Sequence, residues 1–368
     1  MTLAGVDDEL QGILDGFEFD EALFERLRAA VADGSLSREA NLVEGRLEPP
    51  TDDDLTVLPA PGSAQHEEAH ATGIDALRAG EVAQVVLAGG MATRFGGVVK
   101  AALPAVGERS FLELKLAKTA ELADALGVDV PVALMTSFAT DDAIRAHVAE
   151  RRLGSPLIFH QFVSLRLEPD GELFLGADGR PSVYAPGHGD LFQALRRSGA
   201  LGSLRDRGVR IVTVSNVDNL GARVDPVVVG VHRCSGRPLT CEVARKEGDL
   251  GGAPVRVDGR LQLVEGPRFP PGFDQSLVPV FNTNTALFDL EALDRDYELT
   301  WLYVEKEADG RTAVQLERLY HEVSAQLPTT YLEVPRRGPR GRFLPIKTPV
   351  DLEDAQDDLR ELVAAPPL

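Results

Sequence analysis

A glycine-rich loop with two cationic side chains is the first segment of this sequence that could do chemistry. In VVLAGGMATRFGGVVK, residues 85–100, an apolar run gives way to Gly89 and Gly90, and Arg94 and Lys100 follow. Glycines let backbone amides approach an anion closely, and the two cations could hold a triphosphate. The loop lacks the Gly-Lys-Ser/Thr ending of a Walker loop, and its glycine spacing differs from the dinucleotide-binding fingerprint. We therefore expect a phosphate-binding loop, with a plain structural turn as the alternative.

Two further segments contain polar residues that could bind a ligand, one at a predicted helix entry and one after an apolar run. In VYAPGHGDLFQAL, residues 183–195, His188 stands between two glycines at a helix entry, and in VSNVDNLG, residues 214–221, Asp218 follows an apolar run. A carboxylate at the end of a strand can hold a hard cation such as Mg²⁺ against phosphate oxygens. A solvent-facing histidine and an ordinary Asn/Asp turn are the alternatives for the isolated segments.

Two later segments place polar residues in unusual settings. FNTN, residues 281–284, interrupts a run that otherwise predicts a strand, although strands disfavour asparagine. FLPIKTPVDL, residues 343–352, places Lys347 between two prolines, which is a rigid setting for a cation beside phosphate. Alone, this lysine would pass for a surface residue.

The elements that must position these residues alternate between strands and helices. AQVVLA, VPVALMTS, SPLIFHQF and VRIVTVSNVD predict strands, whereas SFLELKLAKTAELADAL and TDDAIRAHVAE predict helices. This order predicts an α/β fold with a doubly wound, mostly parallel, Rossmann-like mixed sheet and helices on both faces. Ligands of such sheets bind beyond the carboxyl ends of the strands, where the polar segments fall.

The flanking segments predict smaller elements. FDEALFERLRAAVADGS predicts a helix capped by Asp20, and the proline-containing stretch after it predicts an extended crossing segment. Hairpins that turn at Asp170-Gly171 and at Asp258-Gly259 predict a small side sheet. We therefore predict an N-terminal helical region with the crossing segment over residues 1–78, a catalytic domain over 79–350 and a short C-terminal helix in 351–368.

The composition argues against several classes of protein. Acidic residues outnumber basic ones 58 to 38, and the net charge of −20 would repel nucleic acid and anionic membrane surfaces. Cys234 and Cys241 support neither a disulfide framework nor a zinc cluster. Neither a targeting segment nor a run near the about 18 apolar residues of a membrane span is present. We expect a soluble, cytoplasmic protein that binds neither nucleic acid nor membrane.

Four segments in this order, PGHGDLFQAL, VSNVDNLGARVD, FNTN and FLPIKTPVDL, resemble the eukaryotic-type UTP:glucose-1-phosphate uridylyltransferase family, also called UDP-glucose pyrophosphorylase. The resemblance covers roughly residues 45–355. It implies a fold of the nucleotidyltransferase type and an Mg²⁺-dependent in-line reaction of UTP with glucose 1-phosphate, giving UDP-glucose and pyrophosphate. A uridylyltransferase for galactose 1-phosphate or N-acetylglucosamine 1-phosphate and a catalytically silent UDP-sugar binding protein are the alternatives.

The resemblance also implies a role for particular positions. The nucleotide-binding set is Leu87, Ala88, Gly89, Gly90, Lys100, Gln161 and Gly187. The sugar-phosphate set is His188, Asn216, Glu265, Asn282 and Asn284, and the metal position is Asp218. The catalytic set, which neutralises charge on the reacting phosphates, is Lys347, Arg94 and Lys100.

The sequence departs from the family pattern in the first loop and at its end. Ala92 stands where the family usually has glycine, and Val99 stands where it has proline before the lysine. An arginine at the position of Arg94 resembles the related bacterial-type nucleotidyltransferases, whose loop commonly reads Gly-Thr-Arg. The sequence ends shortly after Lys347, whereas eukaryotic members continue into a left-handed β-helix used for self-association. We therefore expect a monomer without that C-terminal β-helix domain.

Overall fold

The computed structural model of the 368-residue chain describes residues 5–92 and 95–367. The helices of this part are α1 (Asp8–Gly16), α2 (Glu21–Ala32), α3 (Ala64–Arg78), α4 (Phe111–Leu126), α5 (Asp141–Arg151), α6 (Leu191–Arg197), α7 (Ala200–Asp206), α8 (Pro226–Ser235), α9 (Leu290–Leu293), α10 (Pro349–Asp354) and α11 (Gln356–Ala364). Its strands are β1 (Leu47–Glu48), β2 (Leu55–Val57), β3 (Val82–Leu87), β4 (Met91–Ala92), β5 (Val98–Val99), β6 (Pro104–Val106), β7 (Arg109–Ser110), β8 (Val132–Thr136), β9 (Leu157–His160), β10 (Ser164–Leu165), β11 (Val183–Tyr184), β12 (Ile211–Asn216), β13 (Leu239–Arg245), β14 (Ala253–Val257), β15 (Arg260–Val264), β16 (Val280–Asp289), β17 (Leu302–Ala308), β18 (Arg311–Glu317) and β19 (Thr329–Glu333).

The centre of the described structure is an eight-stranded sheet with the order β2-β19-β13-β16-β12-β3-β8-β9. All neighbouring pairs are parallel except the two that involve β16, which runs antiparallel to β12 and to β13. The amino end of β16 therefore lies at the edge where the parallel strands end, and we call this edge the carboxyl edge. The mostly parallel mixed sheet confirms the predicted fold class.

Helices cover both faces of the sheet because successive residues of its strands point to opposite sides. Val82 and Ile211 pack in one apolar cluster with residues of α3 and α8. Ala83 and Val212, their next neighbours, pack in another cluster with residues of α6 and α7. The doubly wound arrangement confirms the prediction, and it leaves the strand ends free to carry polar loops.

The predicted N-terminal elements are present. Asp20 caps α2, and its carboxylate accepts a hydrogen bond from the backbone N–H of Leu23 at 2.9 Å. The crossing segment is largely extended: β1 pairs with β14, and β2 pairs with β19 as an outer strand of the central sheet. None of the helices in residues 5–92 and 95–367 has the length and apolar character needed to cross a bilayer.

Two hairpins follow the predicted turn signals to different extents. β14 and β15 form a paired hairpin, and Asp258 and Gly259 both have positive φ, 49° and 81°, as a tight two-residue turn requires. Around Gly171 the chain also reverses, but its arms meet only through the single antiparallel bridge between Leu167 and Leu173. The larger hairpin β17–β18 was not among the predicted elements.

Candidate active site at the carboxyl edge of the sheet

The ends of four neighbouring strands bring the predicted nucleotide and sugar-phosphate residues together. Leu87, the last residue of β3, lies beside Asn216, the last residue of β12. On the other side of β3, the backbone N–H of Gln161 donates to the carbonyl of Thr136 at the end of β8, at 3.0 Å. One step beyond the Ser215–Thr285 pair, Asn284 of the antiparallel β16 reaches Asn216. Segments that lie far apart in the sequence thus form one site.

Gly89 lies where no side chain would fit without moving a neighbour. A Cβ atom at this position would be 2.1 Å from Nε2 of Gln161, whereas nothing lies within 4 Å of a Cβ atom built at Gly90. The hydroxyl of Ser137 donates to the carbonyl of Gly89 at 2.8 Å and fixes the backbone there. Two residues of the predicted nucleotide set, Gly89 and Gln161, are therefore in contact.

Lys100, in the loop that follows β3, forms an ion pair with Asp218, in the loop that follows β12. Their side chains are 18% and 12% exposed, so solvent screens the attraction only in part. The pair joins the predicted phosphate-binding lysine to the predicted metal position. Arg94, the other predicted cation of the loop that follows β3, lies outside the described residues.

Asp218 fits a magnesium ion of the kind that takes most of its ligands from a substrate. Among the described residues, no group of three or more His, Cys, Asp and Glu side chains could hold a metal ion. Mg²⁺ in phosphoryl-transfer sites is commonly bound by one or two carboxylates together with substrate phosphates and water. A single carboxylate at a strand end, already paired with a cation, is consistent with that kind of ligand set.

The PGHG loop is packed against the backbone of Arg318. The N–H of Gly189 donates to the Arg318 carbonyl at 2.8 Å, and the N–H of Arg318 donates to the Pro186 carbonyl at 2.7 Å. Gly187 has a φ of 95°, and a Cβ atom there would lie 2.7 Å from the Arg318 carbonyl oxygen. The glycines are therefore required both by the backbone conformation and by close approach.

A buried ion pair fixes this loop to the segment that carries Gln161. Asp190 is fully buried, and its carboxylate accepts a hydrogen bond from the Arg318 guanidinium at 2.6 Å and from the N–H of Phe162 at 3.1 Å. Burial raises the pKa of Asp190, and the neighbouring Arg318 opposes that change. Neither residue was predicted as part of the site, and nothing in the sequence around Arg318 links it to a loop more than a hundred residues earlier.

His188 is held in one tautomer by its neighbour Tyr320. The backbone N–H of Tyr320 donates to Nδ1 of His188 at 3.2 Å, and the two rings meet edge to face at a centroid distance of 4.9 Å. Desolvation lowers the pKa of His188 to about 4, so the ring is neutral near pH 7. Because Nδ1 accepts, the proton is on Nε2, and the free side of the ring is a hydrogen-bond donor.

The asparagines of FNTN are linked to the end of β12. The side-chain amide of Asn284 donates to Oδ1 of Asn216 at 2.8 Å, and the backbone N–H of Asn284 donates to Oδ1 of Asn282 at 3.0 Å. Asn284 has a φ of 58°, in the left-handed region that asparagine tolerates better than most residues. Asn284 lies where the register between β13 and β16 shifts, so it occupies an irregular part of the strand, from which its side chain contacts Asn216.

Glu265 completes the predicted sugar-phosphate set. Its side chain is buried next to Gly252, whose carbonyl accepts a hydrogen bond from the N–H of Asn282 at 2.7 Å. Desolvation raises the pKa of Glu265 to about 8, helped by the charge of Glu322 and opposed by Arg268. A carboxyl group in this setting is protonated near pH 7 and can donate as well as accept a hydrogen bond.

The segment that carries Lys347 is attached to the Asp218 loop through Asn219. The Asn219 side chain accepts from the N–H of Leu344 at 3.0 Å and donates to the carbonyl of Arg342 at 3.0 Å, and Asn219 and Pro345 form an antiparallel bridge. The Lys347 side chain is exposed, and its backbone N–H donates to Asp351 at 2.9 Å. The main chain of the predicted catalytic lysine is therefore tied to the loop of the predicted metal position.

Lys115 is a buried residue near the site that the sequence analysis did not single out. Its ammonium group donates to the backbone carbonyls of Asn216, Asn219 and Ala222 at 3.2, 2.7 and 2.7 Å. Desolvation lowers the pKa of Lys115 to about 7, and the charge of Asp218 opposes that change. Its position on the apolar face of the predicted helix FLELKLAKTAEL was the available signal, because a lysine there must find internal partners.

The doubly wound sheet defines an α/β protein, and the polar loops at its carboxyl edge form the candidate ligand site expected for such a sheet. Residues 24–364 match the model of a family described as UTP–glucose-1-phosphate uridylyltransferase. The chain belongs to this family, as the resemblance of its motifs predicted.

Comparison with individual proteins agrees with this assignment. The chain is 32% identical over 353 residues to the UTP–glucose-1-phosphate uridylyltransferase of Hordeum vulgare, covering 89% of this chain and 72% of that protein. It is 30% identical over 308 residues to UTP–glucose-1-phosphate uridylyltransferase 2 of Dictyostelium discoideum, covering 77% of this chain and 60% of that protein, which is less than two thirds. Its fold is similar to that of the UDP-glucose phosphorylase of Trypanosoma brucei, with a TM-score of 0.75, 22% identity and coverage of 95% and 76%.

Proposed function

We propose that this protein is a uridylyltransferase that converts UTP and glucose 1-phosphate to UDP-glucose and pyrophosphate. The observation that carries the proposal is the Lys100–Asp218 ion pair, which joins the predicted nucleotide loop to the loop that follows Asn216. A cation and a carboxylate at the end of a strand are the groups that phosphate chemistry with a divalent metal needs. Family membership supports the choice of UTP and glucose 1-phosphate as substrates.

The reaction is an in-line substitution at phosphorus. An oxygen of the sugar 1-phosphate attacks the α-phosphorus of UTP and forms a new P–O bond, while the bond from that phosphorus to the bridging oxygen of pyrophosphate breaks. The nucleophile is already anionic, so no general base is required. The protein must instead hold two anions together and stabilise charge as it moves onto pyrophosphate.

Different residues of the candidate site would bind each of the two substrates. Gly89 and Gln161 would bind the nucleotide, with backbone amides near phosphate and the glutamine amide near uracil. The neutral His188 would donate from Nε2 to the sugar phosphate, and the buried Glu265 would contact sugar hydroxyls. Lys100 and Lys347 would stabilise the phosphate charge, since a cation near a transferring phosphoryl group lowers the barrier.

We also propose that magnesium is the cofactor and that Asp218 is its protein ligand. When bound, the ion would neutralise phosphate charge and help to align the two substrates. Asp218 would hold the ion, and Lys100, which pairs with this carboxylate in the structure, would be available to the substrate phosphates. Asp218 is thus the residue whose charge matters most for metal dependence.

The test is release of pyrophosphate from UTP by the whole chain, with glucose 1-phosphate, galactose 1-phosphate or N-acetylglucosamine 1-phosphate and with or without Mg²⁺. Metal-dependent release that is fastest with glucose 1-phosphate is expected. Asp218→Asn should lower the rate by about 10²-fold, as removal of a key electrostatic group commonly does. Asp129→Asn, at a carboxylate that is 82% exposed, is the matched control and should retain activity.

Two results would contradict the proposal. Faster release with another sugar phosphate would move the assignment to that sugar. Binding of UDP-glucose without release of pyrophosphate from any sugar phosphate would identify a catalytically silent UDP-sugar binding protein.

A further inference from the structure

Lys115 lies on the buried side of a well-defined helix. Helix α4 begins at a capping box, in which Ser110 accepts from the N–H of Glu113 and the Glu113 carboxylate accepts from the N–H of Ser110. The buried residues Phe111 and Leu122 stand four residues before and seven residues after Lys115, on the same helical face. Lys115 itself is only 2% exposed. An ammonium group in such a place is costly unless all its donors are satisfied.

The three N–H donors of Lys115 are all used by one loop. They reach the backbone carbonyls of Asn216 at 3.2 Å and of Asn219 and Ala222 at 2.7 Å. These carbonyls lie on both sides of Asp218, so the loop is curled around one cation. Hydrogen bonds from a charged donor are stronger than those between neutral groups, and here water does not compete.

The same loop is connected to the segment of Lys347. Asn219, whose carbonyl is bound by Lys115, uses its side chain to hold the backbone of Arg342 and Leu344 at 3.0 Å each. A shift of the loop would therefore move Asp218 and would also disturb the attachment of the Lys347 segment. No other side chain amine in the described residues is seen to bind three carbonyls of this loop.

We propose that Lys115 is a positioning residue, which holds the main chain of the loop 216–222 and thereby fixes the place of the Asp218 carboxylate in the site. The structural part of this statement stands on the three hydrogen bonds alone. Its consequence for binding of a metal–nucleotide complex rests on the proposed function. Groups that orient a metal ligand without touching the metal commonly change affinity or activity by 10–100-fold when they are removed.

The first experiment measures hydrogen–deuterium exchange of the whole chain by mass spectrometry. Lys115→Met keeps the apolar stem and removes the three donors. We expect faster exchange in the peptides that contain the loop 216–222 and in those that contain residues 342–347, with wild-type exchange in α5 and β9. Lys118→Met is the matched control, because Lys118 lies on the same helix but donates to the carbonyl of Ala365 at 2.9 Å and to Glu121 at 2.8 Å.

A second measurement tests the consequence for the site. We expect Lys115→Met to weaken binding of UTP in the presence of Mg²⁺ by about 10-fold or more in calorimetry, with a smaller change when Mg²⁺ is absent, whereas Lys118→Met binds as wild type does. Lys115→Gln keeps two N–H donors without a buried charge, so it replaces the methionine variant if that variant does not fold. Its loop should exchange faster than wild type, again without a change in α5.

The outcomes separate this inference from the proposed function. Wild-type exchange of the loop in Lys115→Met, or an equal increase throughout the chain, would overturn the positioning role. Faster loop exchange with unchanged Mg²⁺-dependent UTP affinity would overturn its consequence for the site. If the wild-type protein released no pyrophosphate in any assay, the proposed function would fail, while the exchange result would still decide whether Lys115 holds the loop.

Discussion

Replacing Arg342 by methionine should destabilise the protein strongly, because it would leave a buried carboxylate without its partner. Arg342 is 2% exposed and Glu242 is fully buried. The guanidinium donates from Nε to both carboxylate oxygens at 3.0 and 2.9 Å and from a terminal nitrogen at 2.6 Å. A terminal nitrogen also donates to the carbonyl of Arg223 at 3.0 Å.

The expected loss follows from the charge that remains. Breaking a buried ion pair by removing one partner costs about 3–5 kcal/mol, mostly from the uncompensated charge. Unfolding entropy of about 2.1 cal/mol/K per residue gives roughly 0.8 kcal/mol/K for 368 residues. The melting temperature of Arg342→Met should therefore fall by about 4–6 °C.

Thermal unfolding followed by circular dichroism is the assay, with a surface pair as the control. Arg245 pairs with Glu333 at 2.8 Å but is 51% exposed, and Arg245→Met should cost less than about 1 kcal/mol. The double variant Arg342→Met/Glu242→Leu should be more stable than Arg342→Met, because the fully buried carboxylate is removed together with its partner. Equal melting temperatures for Arg342→Met and Arg245→Met, or a further loss in the double variant, would refute the reasoning.

Three further predictions concern the candidate site. Lys347→Ala should lower kcat by roughly 10²-fold with unchanged thermal stability, because its side chain is exposed; turnover near that of wild type would remove it from the mechanism. Gly89→Ala should raise KM for UTP by displacing Gln161, whose Nε2 would be 2.1 Å from the new Cβ atom, while Gly202→Ala, in α7 outside the predicted site and with nothing within 4 Å of a Cβ atom, should not; equal KM values for the two variants would contradict this. The pKa of Glu265 is raised by burial to about 8 from an ordinary 4.5. The contribution of the protonated carboxyl to the stability of the folded protein is therefore fully present below pH 4.5 and is lost as pH rises to about 8. Denaturant titrations between pH 5 and pH 8 should thus show a smaller fall in stability for Glu265→Gln than for wild type, and parallel curves would count against a protonated carboxyl.

The alternation of strands and helices could be predicted because it depends on short-range periodicity. The runs that form β3, β8 and β12 are mostly apolar, as expected for strands covered on both faces, and α4 and α5 have helical spacing. The antiparallel direction of β16 could not be derived from its residues. It depends on which neighbours β16 meets, and these come from distant parts of the chain.

The same turn signal was informative in one hairpin and overlooked in another. Asp258-Gly259 and Asp309-Gly310 both adopt positive φ at both residues, and each connects two paired strands. In the second hairpin the strand VEKEA contains charged residues at several positions, so its alternation is weak. The Asp-Gly pair alone was a sufficient local signal for that turn.

The members of the candidate site could be named from motifs, but their connections could not. The contacts of Asp190 with Arg318 and of Lys115 with the loop 216–222 join residues about one hundred positions or more apart. Such partners depend on the packing of whole elements. The one local indication was a lysine among the apolar positions of α4.

The two outer strands of the central sheet are poor templates for an added strand. β2 and β9 are three and four residues long, so an added strand could form only a few hydrogen bonds with either edge. Next to β2, Asp52, Asp53 and Asp54 follow one another. If a second copy paired through the same edge, its aspartates would repel those of the first copy. This repulsion makes growth of the sheet beyond its eight strands unfavourable.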